Sequence, residues 1–435
     1  MTTRKKKVVR PEPGLKMRKL MWLSLTTLWC LSASPILKSS WAGDDWPNSQ
    51  TPYWLAWRYG SASFGNTIHE ALYWNRAWML GQGRFYPVHW LESRIEFVYL
   101  REIWQYKIYQ YSILIIAGLL FCYLIKLLAG SDLLAAVTLT ILCVTVQIRR
   151  GFDPHLAFAG MVPSMLIKVF IACIFIFLAS VEEEKKKIRL YSAISALFYF
   201  LALSTYEFSF FLLPAVLMCY QIGHDKRKGQ NRKQNLNAWA NEISLRIFDR
   251  TFRPVLLAWL GYGFLVFGVL RRIAKDVSGS YVLGISWESI PVFISQIFTG
   301  IPIISVMFGA ELLNWFKANY LFIALAFILS TIIVFLFLRS LKGNRYLGSN
   351  DELLDKKFFQ SITIFATFLV LAPGFMMSLQ QSWWGRASIQ NSYLGVLITE
   401  FGSALLIAAC FVNYRLFTRK VSRLFPKAKV RTNEN

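Results

Sequence analysis

The chain has 435 residues, 55% of them hydrophobic and 17% charged, with a net charge of +24. A soluble chain of this length usually divides into two or three domains and holds about a quarter of its residues as charged groups. Here the apolar residues gather into runs such as Tyr111 to Gly130 and Tyr320 to Leu338, close to the roughly 20 residues a helix needs to cross a bilayer. That excludes a soluble multidomain enzyme and a disordered chain.

In chain order, ten spans are predicted near 20–42, 108–129, 132–146, 156–180, 190–204, 207–222, 255–270, 319–338, 358–379 and 392–412. They make one all-α, polytopic membrane domain over 1–435. The segments 1–19, 181–189, 223–254, 339–357 and 413–435 hold 32 of the 48 Lys and Arg residues, whereas 43–107, 147–155, 271–318 and 380–391 together hold 13. Basic residues collect on the cytoplasmic side of short connections. Both basic tails, 1–19 and 413–435, are therefore expected in the cytoplasm, with the second set of connections outside a plasma or inner membrane. The same placement assigns the charge to membrane lipids and not to nucleic acid. The six cysteines (30, 122, 143, 173, 219 and 410) fall in apolar runs without Cys-x-x-Cys spacing and read as small buried hydrophobes.

The first span is read as an uncleaved anchor, because it is long and contains Trp22 and Trp29, although Ser-Ser-Trp-Ala precedes Gly43 as a cleavable leader would have it. The apolar block 190–222 would measure about 50 Å as one helix. Basic flanks at Lys185–Arg189 and Lys226–Lys228 require an even number of crossings. A hairpin is predicted, with its tip near Ser204-Thr205-Tyr206-Glu207, which brings Glu207 to the outer face.

The first outer loop, 43–107, opens Gly43-Asp44-Asp45-Trp46-Pro47 where the chain leaves the first span. Two amphipathic surface helices are predicted within it. Thr67-Ile68-His69-Glu70 and Ser93-Arg94-Ile95-Glu96 each have a capping-box pattern, the first helix stopping at Gly81. The second aligns Ile95, Val98, Tyr99, Ile103 and Tyr106 on one stripe, as suits a helix lying on a membrane surface. An acidic pair at a helix end is most simply a solvated cap. Trp41, Trp46 and Pro47 nevertheless hold Asp44 and Asp45 close to the bilayer, where a partly desolvated carboxylate gains basicity and can act as a general base.

An acidic pair just after the first span, opening an outer loop with two surface helices, resembles the GT-C superfamily. These are integral-membrane glycosyltransferases that take a sugar from a polyprenyl-phosphate carrier. The resemblance implies that Asp44 or Asp45 deprotonates the acceptor hydroxyl, the acceptor being a glycan, a lipid or a protein. The chain lacks the Trp-Trp-Asp motif of oligosaccharyltransferases, because Trp383-Trp384 is followed by Gly385-Arg386. It also has no soluble C-terminal domain, which points to transfer of a single sugar.

Transfer from a lipid phosphate needs cations for the departing group. Arg149 and Arg150 run against the positive-inside trend and fit that role, although lipid-headgroup contact accounts for them equally well. Asp153 and His155 read first as a turn and helix cap before the fourth span, and second as an acid/base or metal pair. Arg84, on a tight turn after the first surface helix, and Arg386, beside two indoles, are further substrate-binding candidates. Glu207, an ionisable residue inside an apolar block, is another; it could orient a sugar hydroxyl. Paired carboxylates are compatible with a divalent metal, but no zinc-ligand spacing, nucleotide-binding glycine loop or nucleophile elbow is present. The connection 271–318, broken by Gly300, Pro302 and Gly309, is expected to be partly re-entrant. Two other readings stay open. A transporter or flippase of a lipid-linked solute would use the span charges Lys168 and Glu400, and a polysaccharide polymerase or ligase would also take a polyprenyl-linked substrate.

Overall fold

The structure is a computed structural model that describes residues 14–41, 44–146, 160–227, 246–274, 282–301, 356–384 and 395–424, together with Ala324, Ile328 and Ile332. It is all-α. Among the described residues the only strand-like pairing is an isolated bridge between Leu283 and Gln380.

Among the described residues six helices are long and apolar enough to cross a membrane, not the predicted ten, which makes this an integral membrane protein. The six match the predicted spans at 20–42, 108–129, 156–180, 255–270, 358–379 and 392–412. They lie in α1 (Gly14–Ala33), α6 (Ile103–Ala129), α8 (Met161–Val181), α11 (Arg253–Ile273), α13 (Lys356–Ser378) and α14 (Val396–Leu424). The predicted span 319–338 lies outside the described residues, apart from three isolated positions. The other three are shorter or less apolar. Helix α7 (Asp132–Thr145) has 14 residues, about 21 Å at 1.5 Å per residue, against a hydrocarbon core of about 30 Å.

The block 190–222 does fold as a hairpin. Helix α9 (Lys185–Leu203) ends at Ser204, a 3-10 turn covers Glu207–Leu212, and α10 (Leu213–Arg227) returns. Three lysines open α9 and the 3-10 turn consumes part of the apolar run before α10, so neither arm keeps a full span. In the connection 271–318, the short apolar helix α12 (Ser289–Thr299) is described.

The 43–107 segment departs further from expectation. Between α1 and α6 stand four helices: α2 (Asp45–Asn48), α3 (Thr51–Tyr59), α4 (Phe64–Gln82) and α5 (Pro87–Tyr99). Helix α4 starts three residues before Thr67, because the Ser63 hydroxyl accepts the Asn66 amide and so caps the first turn. It runs past Gly81 to Gly83, whose φ of +66° ends it in the left-handed conformation. Helix α5 begins at Pro87, where a missing N–H costs nothing, and Ser93 falls in its middle. The predicted stripe from Ile95 to Tyr106 is cut at Leu100–Glu102. There Glu102 and Gln105 form a reciprocal capping box that starts α6 afresh.

The bundle is built on α6 and α8: α1 and α7 pack together and against α6, α9 and α10 pack against α8, and α13 and α14 pair with each other, α13 also meeting α10 and α14 meeting α7. Trp29 of α1 is fully buried and packs on α6 at Gly118, where a Cβ would sit 2.5 Å from its indole nitrogen. At one end of the bundle Asp132 gathers Arg18, Lys126 at 3.1 Å and the Trp22 indole at 3.3 Å, tying α1, α6 and α7 together. Helices α2 to α5 cover the opposite end.

Candidate functional site

The covered end contains a run of buried polar side chains, and α5 organises it. His89, Glu92 and Glu96, spaced three and four apart, share one face of that helix. Trp90 and Arg94 share the neighbouring face.

At the first end of the run, Asp44 and Asp45 are treated oppositely. Asp44 is exposed and makes no capping bond with its side chain. Asp45 has no exposed surface. Its Oδ2 accepts the Tyr106 hydroxyl at 2.8 Å and the Gln110 amide at 3.4 Å, and Gln110 Oε1 in turn accepts Lys107 Nζ at 2.9 Å. Trp41, Phe97 and Tyr106 close over this group, with Phe97 and Tyr106 stacked 5.0 Å apart and Trp41 4.9 Å from Tyr106.

Arg94 fixes the short segment that presents Asp45. It is buried and donates to Asn48 Oδ1 at 3.1 Å and Thr51 Oγ1 at 2.7 Å. Its guanidinium lies 5.1 Å from the Trp90 ring and 5.7 Å from Trp74. Burial lowers its pKa from 12.5 to about 10, so it stays charged at neutral pH.

In the middle of the run, Lys168 of α8 meets Glu92 at 2.7 Å, and Ser164 closes a triangle by accepting from Lys168 at 2.6 Å and donating to Glu92 at 2.9 Å. The Lys168 charge is therefore matched by an acid from outside the spans. His89 faces Arg94, Lys168 and Arg84. It keeps some solvent contact, yet burial first and those three cations second push its pKa down to about 3.

At the far end, Arg84 and Glu207 form a buried ion pair at 3.3 Å, and both are about 5% exposed. Arg84 also donates to the Tyr86 hydroxyl and lies 4.4 Å from its ring. The backbone of the same turn is held from two sides, by Tyr262 donating to Phe85 O at 3.2 Å and Val88 N–H donating to Ser204 O at 3.2 Å. Gly83 presses on α11, where a Cβ would fall 2.8 Å from the Arg271 Cα.

Of the residues singled out by sequence, Asp45, Arg84 and Glu207 enter this run, while Asp44 faces away from it. Arg149, Arg150, Arg386, Asp153 and His155 lie outside the described residues. Asp45 and Glu207 do not touch; His89, Glu92 and Lys168 stand between their two clusters. Sequence reasoning missed His89, Glu92, Glu96, Ser164 and Tyr106 as site residues, and it weighed Lys168 only as a charge within a span. Starting the helix at Pro87 would have put His89, Glu92 and Glu96 on one face.

Helix α5 also holds three buried polar atoms without a hydrogen-bond partner among the described residues: Trp90 Nε1, Arg94 Nε and Glu96 Oε2. Orphaned groups are costly in a finished core and ordinary in a site built to receive a polar ligand. Among the described residues no three His, Cys, Asp or Glu side chains come together to hold a metal ion. No protein-family model, curated protein or solved structure matches the chain.

Proposed function

We propose that the protein is a membrane glycosyltransferase that moves one sugar from a polyprenyl-phosphate carrier to a hydroxyl acceptor at the outer face, with Asp45 as the general base. The enclosure of Asp45 is the observation that carries this reading. A carboxylate removed from water, held by Tyr106 and Gln110 in a run that also holds Arg94, Lys168 and Arg84, has the setting a general base needs. Asp45 would take the proton of the incoming hydroxyl as its oxygen attacks the anomeric carbon in line, inverting that centre. Arg84 and Lys168, each matched to one carboxylate, lie where a phosphate could compete for them, and Arg149, Arg150 and Arg386 remain candidates for the same task. A divalent metal is not needed by this scheme.

The Glu92–Lys168 pair favours one other reading. A buried ion pair between a span and a surface helix is a group that a transporter could break and remake during its cycle.

The deciding experiment incubates purified protein with a panel of polyprenyl-phosphate sugars and compares Asp44→Asn with Asp45→Asn. Release of polyprenyl phosphate should fall by about 10² or more in Asp45→Asn and stay near wild type in Asp44→Asn. No release with any donor, or full activity in Asp45→Asn, refutes the mechanism.

A further inference from the structure

Glu96 is only 6% exposed, and its Oε2 accepts no hydrogen bond among the described residues. The groups that face it come from four elements: Asp45 of α2, Glu92 of its own helix, Tyr109 of α6 and Lys168 of α8. Lys168 is committed to Glu92 at 2.7 Å and to Ser164. Asp45 holds the Tyr106 hydroxyl and the Gln110 amide. Glu96 is left with the Tyr109 hydroxyl and two nearby carboxyls, Glu92 and Asp45. An ionised carboxylate with one bare oxygen in such surroundings is far less stable than a protonated one.

We propose that Glu96 is a second carboxyl of the Asp45 site and stands there protonated, the neutral partner of an Asp45 carboxylate. The protonation state does not depend on what the protein transfers; its effect on turnover rests on the glycosyltransferase reading. Burial is the main cause that lifts the Glu96 pKa well above the usual carboxylate range. The Tyr109 hydrogen bond opposes it, Glu92 and Asp45 add to it, and Lys168 opposes it least. Two carboxyls with one proton divide the work, because the neutral one adds no repulsion while the ionised one accepts a proton. In the transfer step, the acceptor O–H bond breaks toward Asp45, the oxygen bonds the anomeric carbon, and the carbon–phosphate oxygen bond breaks. Glu96 keeps its proton throughout. Loss of that proton at high pH puts a second negative charge in the enclosure, which repels an anionic donor and raises its KM.

The test is infrared spectroscopy of the full chain in nanodiscs, titrated through neutral and alkaline pH. Wild type should show a protonated-carboxyl stretch at neutral pH that is lost in Glu96→Gln and kept in Asp44→Asn. Tyr109→Phe removes the bond that favours the ionised form and should move the titration to higher pH. Glu92→Gln removes a like charge and should move it lower. Absence of the band at neutral pH, its survival in Glu96→Gln, or failure of both shifts overturns the proposal; the two shifts decide the matter if Glu96→Gln does not fold. With an active donor, Glu96→Gln should abolish the high-pH rise in donor KM. An intact band without turnover on any donor would sustain Glu96 and sink the transfer reading, and turnover without the band would do the reverse.

Discussion

Replacing Arg94 by Met tests how Asp45 is held. The substitution keeps most of the stem's packing and removes two hydrogen bonds from a charged donor, to Asn48 and Thr51. Each such bond contributes about 1.5–3 kcal/mol, and the contacts with Trp74 and Trp90 add about 1 kcal/mol together. Against this stands the cost of burying the guanidinium. A fall from 12.5 to about 10 disfavours the charged form by about 3 kcal/mol, a cost that the variant escapes. The balance is a loss of about 1–4 kcal/mol. Arg94 is charged at any pH below about 10, so the loss should not vary near neutrality. It should be local, because the severed bonds are those that pin α2 and α3 to α5. Hydrogen–deuterium exchange should rise across residues 45–59 while α6 and α8 stay protected. Unchanged exchange in 45–59, or a higher melting temperature, would refute this account of Arg94.

Three further outcomes follow from the same geometry. Gly83→Ala forces a side chain into a left-handed residue and against Arg271, and should cost about 1–3 kcal/mol. Gly60→Ala, at φ +77° with open space around it, should cost less, and thermal unfolding of the two variants isolates the contact. Glu207→Gln leaves the Arg84 charge buried beside a neutral amide and should destabilise by about 3–5 kcal/mol; adding Arg84→Met should recover part of it in a double-mutant cycle. His89 is neutral in the folded chain down to about pH 3, whereas in the unfolded chain it takes a proton below 6.5. Its contribution to stability is therefore complete above pH 6.5 and declines by about 1.4 kcal/mol per pH unit as pH falls toward 3. His89→Gln should flatten that acid limb in melting curves measured against pH.

The helical class, six of the spans and the hairpin at Ser204 were legible in the sequence, because apolar run length and basic flanks report directly on what a bilayer tolerates. The count failed at α7 and α10, which have only 14 and 15 residues, and at α9, whose 19 residues open with three lysines. Capping patterns misled for a specific reason. Ser93 and Glu96 fit the box, but Tyr86-Pro87 and the Glu102–Gln105 pair supply stronger boundaries on either side. Helix α3 was missed, although Pro52 and Gly60 punctuate it. For the site, adjacency in sequence could not separate Asp44 from Asp45, since one residue step on a helix turns the side chain by about 100°. The Glu92–Lys168 and Arg84–Glu207 pairs join residues 76 and 123 positions apart, and no local pattern encodes them.

Within α11, the residues Phe264–Leu270 are wound as a π-helix. Such a stretch accommodates extra chain in the same rise, so it sets the angular phase of everything that follows it. Arg271 meets Gly83 only at the phase this stretch provides. With seven residues in this stretch, ordinary α-helical winding would turn Arg271 out of register with the turn that bears Arg84. Residue number here, more than residue identity, decides what the end of that span touches.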